Sequence, residues 1–170
     1  MKTGGHLASG FVGFSVLITM EPETSPVTLE HGLRIVTYNC RSVKYSISTV
    51  KELCFSNELV CLTEHWLLPG EISYLSSIDK DFIAFGSSAV DINSNLLSGR
   101  PYGGTAILCH RSVAANVKLV NSTSPRITAV ELKLSLNNTL TSILIASVYM
   151  PVDPGCNSDE DFEFVVALRH

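Results

Sequence analysis

Residues 59–67 read LVCLTEHWL. The first five are apolar or β-branched without interruption, which is the pattern of a short strand covered on both faces. The run stops abruptly at a carboxylate, Glu64, followed by His65 and Trp66. Just upstream, residues 46–55 (SISTVKELCF) place Ile47, Val50 and Cys54 on one stripe at helical spacing, with Lys51 and Glu52 outside. Before that, residues 33–39 (LRIVTYN) are β-branched and aromatic, as strands prefer. Strand, short helix and buried strand in this order predict a β-α-β unit with parallel strands.

Downstream the pattern changes to a series of strands. Residues 82–86 (FIAFG), 104–109 (GTAILC) and 114–120 (AANVKLV) read as three of them. Residues 87–103 are rich in Ser, Asn and Gly and read as a long surface loop, a length often tied to function. In residues 130–136, Val130, Leu132, Leu134 and Leu136 alternate with Glu131, Lys133 and Ser135, which predicts a half-buried strand. Asn137-Asn138 suits a tight turn. Residues 140–149 (LTSILIASVY) then return as an interior strand. Ser158-Asp159-Glu160 leads into Phe162, Val165, Val166 and Arg169, the start of a capped helix. The strands after the β-α-β unit need a second layer over their inner faces.

The bulk numbers fit one globular domain: 45% of residues are hydrophobic and 16% charged, which excludes a disordered chain. The net charge is −4, against a chain that grips DNA through general phosphate contacts alone. Bound cations can supply positive charge locally, so a nuclease is not excluded. Five cysteines, with no C-x-x-C pair, read as free thiols of a reducing compartment rather than zinc ligands or disulfides. Asn-x-Ser/Thr sequons at Asn121 and Asn137 matter only in a secreted chain. Residues 7–20 are apolar but short for a membrane span and lack a clean cleavage site. Residues 1–31 are therefore expected to be a leader and linker, with a secretory role as the alternative, and no membrane partner is expected.

Three polar residues end apolar strands: Asn39, Glu64 and Tyr149. A carboxylate is a hard oxygen ligand for Mg²⁺ or Mn²⁺. An asparagine offers a carbonyl to a metal or an amide hydrogen to a phosphate oxygen, and a tyrosine hydroxyl can donate to a phosphoryl oxygen. Singly, each is more often a solvated strand end, a turn residue or a core ring. Neither G-x-S-x-G nor a P-loop is present.

Together, LRIVTYNCRSV (33–43), LVCLTEHWL (59–67), YGGTAILCH (102–110), SPRITAVELKL (124–134) and SILIASVYMP (142–151) resemble the endonuclease/exonuclease/phosphatase superfamily of deoxyribonuclease I and exonuclease III-type repair enzymes. The EHWL wording, GRPYGGTAIL and the VYMP ending are most similar to the endonuclease domain of non-LTR (LINE-type) retrotransposons. The resemblance implies an α+β fold: a four-layer α/β/β/α sandwich of two mainly antiparallel sheets flanked by helices. Residues 32–170 would be its N-terminal part. It implies a Mg²⁺- or Mn²⁺-dependent phosphodiesterase acting on DNA, nicking a target to prime reverse transcription, in an intracellular, nuclear setting. Glu64 would be the metal ligand, with Asn39 beside metal and phosphate. Tyr149 would touch the phosphate, and Arg126 would support the site. His65 and Trp66 would shape the pocket, His65 by packing.

The departures weigh as much. The family's Gly-Asp-x-Asn and Ser-Asp-His motifs, which position water and act on the scissile phosphate, do not occur in these 170 residues, and Val152 stands where repair enzymes often carry Asn. The chain is therefore expected to be catalytically incomplete alone. A phosphatase or phospholipase branch of the same superfamily, or a non-enzymatic binding protein on a partial sandwich, remain as alternatives. Arg41, Arg100 and Tyr102 are candidate DNA contacts, with Lys44 and Arg111 near them. The acids Asp153, Asp159, Glu160, Asp161 and Glu163 read as a solvated helix start, where they suit the helix dipole.

Overall fold

The computed structural model describes residues 12–20, 27–28, 32–90, 101–136 and 139–150. Two sheets face each other. Strand β3 (Ile35–Asn39), helix α1 (Ile47–Ser56) and strand β4 (Leu59–Thr63) form the expected β-α-β unit, with β3 and β4 parallel from Ile35 opposite Leu59 to Asn39 opposite Thr63. Strands β5 (Phe82–Ser87) and β6 (Thr105–His110) complete a four-stranded sheet in the order β3-β4-β6-β5. The second sheet is built on the predicted hairpin, β8 (Ile127–Leu136) and β9 (Thr139–Met150), paired antiparallel from Ile127 opposite Val148 to Leu136 opposite Thr139. Strands β7 (Val117–Val120) and β2 (Val27–Thr28) lie against β8, and β1 (Val12–Met20) pairs antiparallel with β9. The fold is α+β with two mainly antiparallel sheets.

Alternation sorts the side chains into layers. Toward α1, Val60 and Leu62 of β4 and Ala106 and Leu108 of β6 pack with Val50 and Cys54. Toward the other sheet, Leu59, Cys61, Ile107 and Cys109 meet Val130, Leu132, Leu134, Ile143 and Ile145. This second cluster is the sandwich interior, and it explains why LVCLT is apolar at every position. The register of the parallel pair is pinned at its entry end by Arg34, whose backbone N–H and guanidinium both bond the Glu58 carboxylate.

Some elements differ from the sequence reading. Residues 12–20, read as part of a leader, form a strand whose pairing partner among the described residues, β9, lies more than a hundred residues away, a pairing that local patterning cannot reveal. Pro69–Ser77 forms a 3₁₀ segment with Pro at its start, and Arg111–Ala114 a single helical turn ahead of β7. The turn at Asn137-Asn138, residues 91–100 of the long loop, and the expected helix after Ser158 lie outside the described residues.

Leu132 is fully buried between the sheets. Leu132→Ala should lower unfolding stability by about 2–5 kcal/mol, measured by urea titration. A loss under about 1 kcal/mol would contradict the packing described.

Candidate active site

The inner faces of the two sheets change character toward one end. Past Leu59 and Cys61, β4 presents Thr63, and β6 presents Thr105 beyond Ile107 and Cys109. On the facing sheet, β8 presents Thr128, and β9 presents Ser147 and Tyr149 beyond Ile143 and Ile145. The apolar sandwich therefore closes in a layer of hydroxyls. Thr128 donates to the Thr105 carbonyl at 3.0 Å, its hydroxyl lies 2.9 Å from that of Thr105, and Ser147 donates to the Leu62 carbonyl at 2.8 Å. These bonds tie the sheets together beneath the rim where Asn39 and Glu64 sit.

At that rim the Asn39 amide donates to Glu64 Oε1 at 2.7 Å. Asn39 Oδ1 in turn accepts the Arg41 N–H at 3.3 Å, which orients the amide. Glu64 is the first residue past β4 and has φ +56. This left-handed turn breaks strand alternation and brings the carboxylate to Asn39 on the inner face. Left-handed backbone is uncommon for residues other than glycine and costs about 1–3 kcal/mol when the surroundings enforce it. Among the described residues, all four such positions, Arg41, Ser42, Glu64 and Trp66, lie in the two loops that carry this site.

Backbone hydrogen bonds hold these loops. Ser42 N–H donates to the Glu64 carbonyl at 2.8 Å and Val43 N–H to that of His65 at 3.1 Å. Glu64 and Trp66 donate to the carbonyls of Gly104 and Gly103 at 2.8 and 3.1 Å. His65 is wholly buried, and both ring nitrogens are engaged: Nε2 lies 3.0 Å from the Ser87 carbonyl, and Nδ1 accepts the Leu67 N–H at 3.0 Å. Those partners require a neutral ring protonated on Nε2. Burial pushes its pKa below the usual imidazole value, against the opposing pull of the Ser87 and Thr105 backbone. His65 is thus a strut under Glu64.

Tyr149 closes the site from the other sheet. Its N–H donates to the Arg126 carbonyl at 2.9 Å, and the ring is buried. Burial raises the phenol pKa, the Glu64 charge raises it further, and Arg126 lowers it, so the hydroxyl is a proton donor at neutral pH. Glu64, Arg126 and Tyr102 thus lie within electrostatic reach of the Tyr149 hydroxyl. Arg126 is exposed, one residue ahead of β8, and Arg41 and Tyr102 are exposed at the rim. Arg100 lies outside the described residues. Cys40 is a packed thiol that donates to the Thr63 carbonyl at 3.1 Å, its pKa pushed up to about 12 by burial, and so is no nucleophile. Cys54 and Cys109 are likewise buried free thiols.

Several contributors were not singled out from the sequence. Gly103 and Gly104 have φ +60 and +85, and a Cβ there would meet the Tyr149 ring at 2.8 Å and His65 Nε2 at 2.5 Å. The Gly-Gly pair ahead of a strand was the available signal. Thr63, Thr105, Thr128 and Ser147 look like ordinary strand residues until the two sheets are superposed.

As a cation site the donor set is sparse but chemically apt. Oε1 of Glu64 is taken by Asn39, which leaves Oε2 as a hard oxygen donor. Ligation by Asn39 itself would need its amide turned over, against the Arg41 N–H. Among the described residues no group of three or more His, Cys, Asp or Glu gathers to hold a metal, so a closed zinc site does not fit. Mg²⁺ or Mn²⁺, which keeps most of its waters and takes one or two carboxylates plus substrate phosphate, does fit.

No family model and no curated protein sequence matches the chain. Among solved structures, the 3′ phosphatase NExo from Neisseria, bound to product DNA hairpin, aligns with 59% of this chain at 19% identity and a TM-score of 0.41. The alignment spans only 38% of that protein. A likeness this loose carries no reading of family or function.

Two outcomes follow from this geometry. Gly104→Ala should destabilise the fold by about 1–3 kcal/mol, because the new Cβ meets both strain and the His65 ring; a neutral result in urea titration would count against the strut. Stability should also fall as pH drops below about 6.5, since the unfolded chain takes up the His65 proton before the folded one does. In chelator, His65→Gln should flatten that part of the pH dependence, and an unchanged slope would refute the buried neutral ring.

Proposed function

We propose that this chain carries the cation- and phosphate-facing half of a phosphodiesterase site of the endonuclease/exonuclease/phosphatase type, and that the complete domain nicks DNA. The observation that carries the reading is the Asn39–Glu64 hydrogen bond at the ends of two parallel strands, in a strained buried rim that Tyr149 and Arg126 approach from the facing sheet. Such effort to hold one carboxylate makes little sense for a solvated strand end. The quoted motifs support the superfamily. The wordings around Glu64, Gly103 and Tyr149 support a retrotransposon-type endonuclease that primes reverse transcription in the nucleus.

In this reading each residue has a task. Asn39 fixes the Glu64 carboxylate that would face the cation. Tyr149, protonated at neutral pH, donates to a non-bridging oxygen. Arg126 adds positive charge at the rim, and Arg41 and Tyr102 are placed to meet the flanking nucleic acid. Bound at Glu64, Mg²⁺ or Mn²⁺ would offset charge developing on the phosphate. A phosphodiester also needs a group to deprotonate water. None of Asn39, Tyr149 and Arg126 is suited to that, so these three residues would hold the phosphate rather than activate the water.

Calorimetric titration with Mn²⁺ tests the site. The wild-type chain should bind one ion weakly, and Glu64→Gln, which can still accept from Asn39, should lose it while staying folded. Equal binding by both proteins would end the cation reading. The 170-residue chain should leave supercoiled plasmid intact with Mg²⁺, and nicking that vanishes in Glu64→Gln would show that the water-activating group is present after all.

A further inference from the structure

Thr63 Oγ1 is buried, belongs to a residue 1% exposed, and has no hydrogen-bond partner among the described residues. It is the only buried side-chain nitrogen or oxygen there in that position. Buried hydroxyls are rarely left so, because losing water without a replacement partner is costly. Its place in the fold gives the orphan a meaning. Thr63 stands in register between Asn39 on one side and Thr105 on the other, so the three side chains share the inner face of the sheet. Ser147 and Thr128 face them from the second sheet. The Thr128 hydroxyl spends its proton on the Thr105 carbonyl, and the Thr105 hydroxyl then donates to Thr128. Lone pairs on Thr105 Oγ1 and the second amide hydrogen of Asn39 remain unspent.

An orphan donor–acceptor flanked by a spare acceptor and a spare donor is the setting in which a buried water makes its two to four bonds. We propose that Thr63 is a positioning residue: its hydroxyl holds an ordered water that bonds the Asn39 amide, and through Asn39 it fixes the Glu64 carboxylate. The device is an outer-layer support of the kind that orients metal-binding groups elsewhere. Its link to cation binding rests on the function proposed above, but its link to Asn39 does not. Valine has the shape of threonine without the hydroxyl, and serine keeps the hydroxyl without the methyl.

The test compares Thr63→Val and Thr63→Ser with the wild-type chain by two measurements. The first is the Asn39 side-chain amide signal in ¹⁵N spectra recorded in chelator, which needs no metal. It should move in Thr63→Val and stay near its wild-type position in Thr63→Ser. The second is Mn²⁺ affinity, which should fall about tenfold or more in Thr63→Val and be restored in Thr63→Ser. An unmoved Asn39 signal in Thr63→Val, or a Thr63→Ser that behaves like Thr63→Val, overturns the proposal. So does a Thr63→Val that binds Mn²⁺ as wild type does while Glu64→Gln loses the ion. If Mn²⁺ binds wild type and Glu64→Gln alike, the cation reading fails, and the Asn39 signal still decides whether Thr63 positions that amide.

Discussion

The Asn39 amide reaches the Glu64 carboxylate only because β3 and β4 run parallel and in register, ending side by side. The parallel arrangement comes from α1, which carries the chain back along the sheet before β4 begins. A slip of one residue would turn Asn39 toward the helix and leave Glu64 without its partner. Arg34 and Glu58 guard the register at the other end, as an exposed pair whose worth lies more in alignment than in energy. Burial of Leu59, Cys61, Val60 and Leu62 on opposite faces of one strand does the rest, since either face would be wrong in any other register.

From that alignment the remainder of the rim is built with strained backbone. Left-handed turns at Arg41, Ser42, Glu64 and Trp66 would relax if the loops were free. They are not, because each is hydrogen-bonded to its neighbour, and His65 and the two glycines fill the space beneath. The sandwich interior meets this rim through hydroxyls rather than methyl groups. The exchange of apolar for polar side chains along the same strands marks where packing stops serving the core and starts serving the site.

Much of this was legible in the sequence. The β-α-β unit, the strand at 82–86 and the β8–β9 hairpin follow from local pattern, and their structural bounds differ from the reading by at most three residues. Asn39, Glu64 and Tyr149 stood out because polar residues end apolar runs. What stayed hidden is what depends on distant chain. Residues 12–20 are apolar without helical or alternating order, and only β9 makes a strand of them. The 3₁₀ segment at Pro69–Ser77 has no period to detect. The sign of φ at Glu64 is not written in any one residue, and neither is the loneliness of the Thr63 hydroxyl, which arises only when a second sheet removes it from water.

The hydrogen bonds of the rim differ widely in the length of chain they enclose. Asn39 and Glu64 are 25 residues apart, whereas the Ser147 hydroxyl that reaches Leu62 closes a span of 85. Contacts that enclose more chain carry a larger closure entropy and form more slowly. The carboxylate and its amide can therefore meet within the β-α-β unit, while Tyr149 arrives only with the hairpin that docks over them. The charged half of the site thus lies within one short stretch of chain, and its phenolic half is contributed across a far longer one.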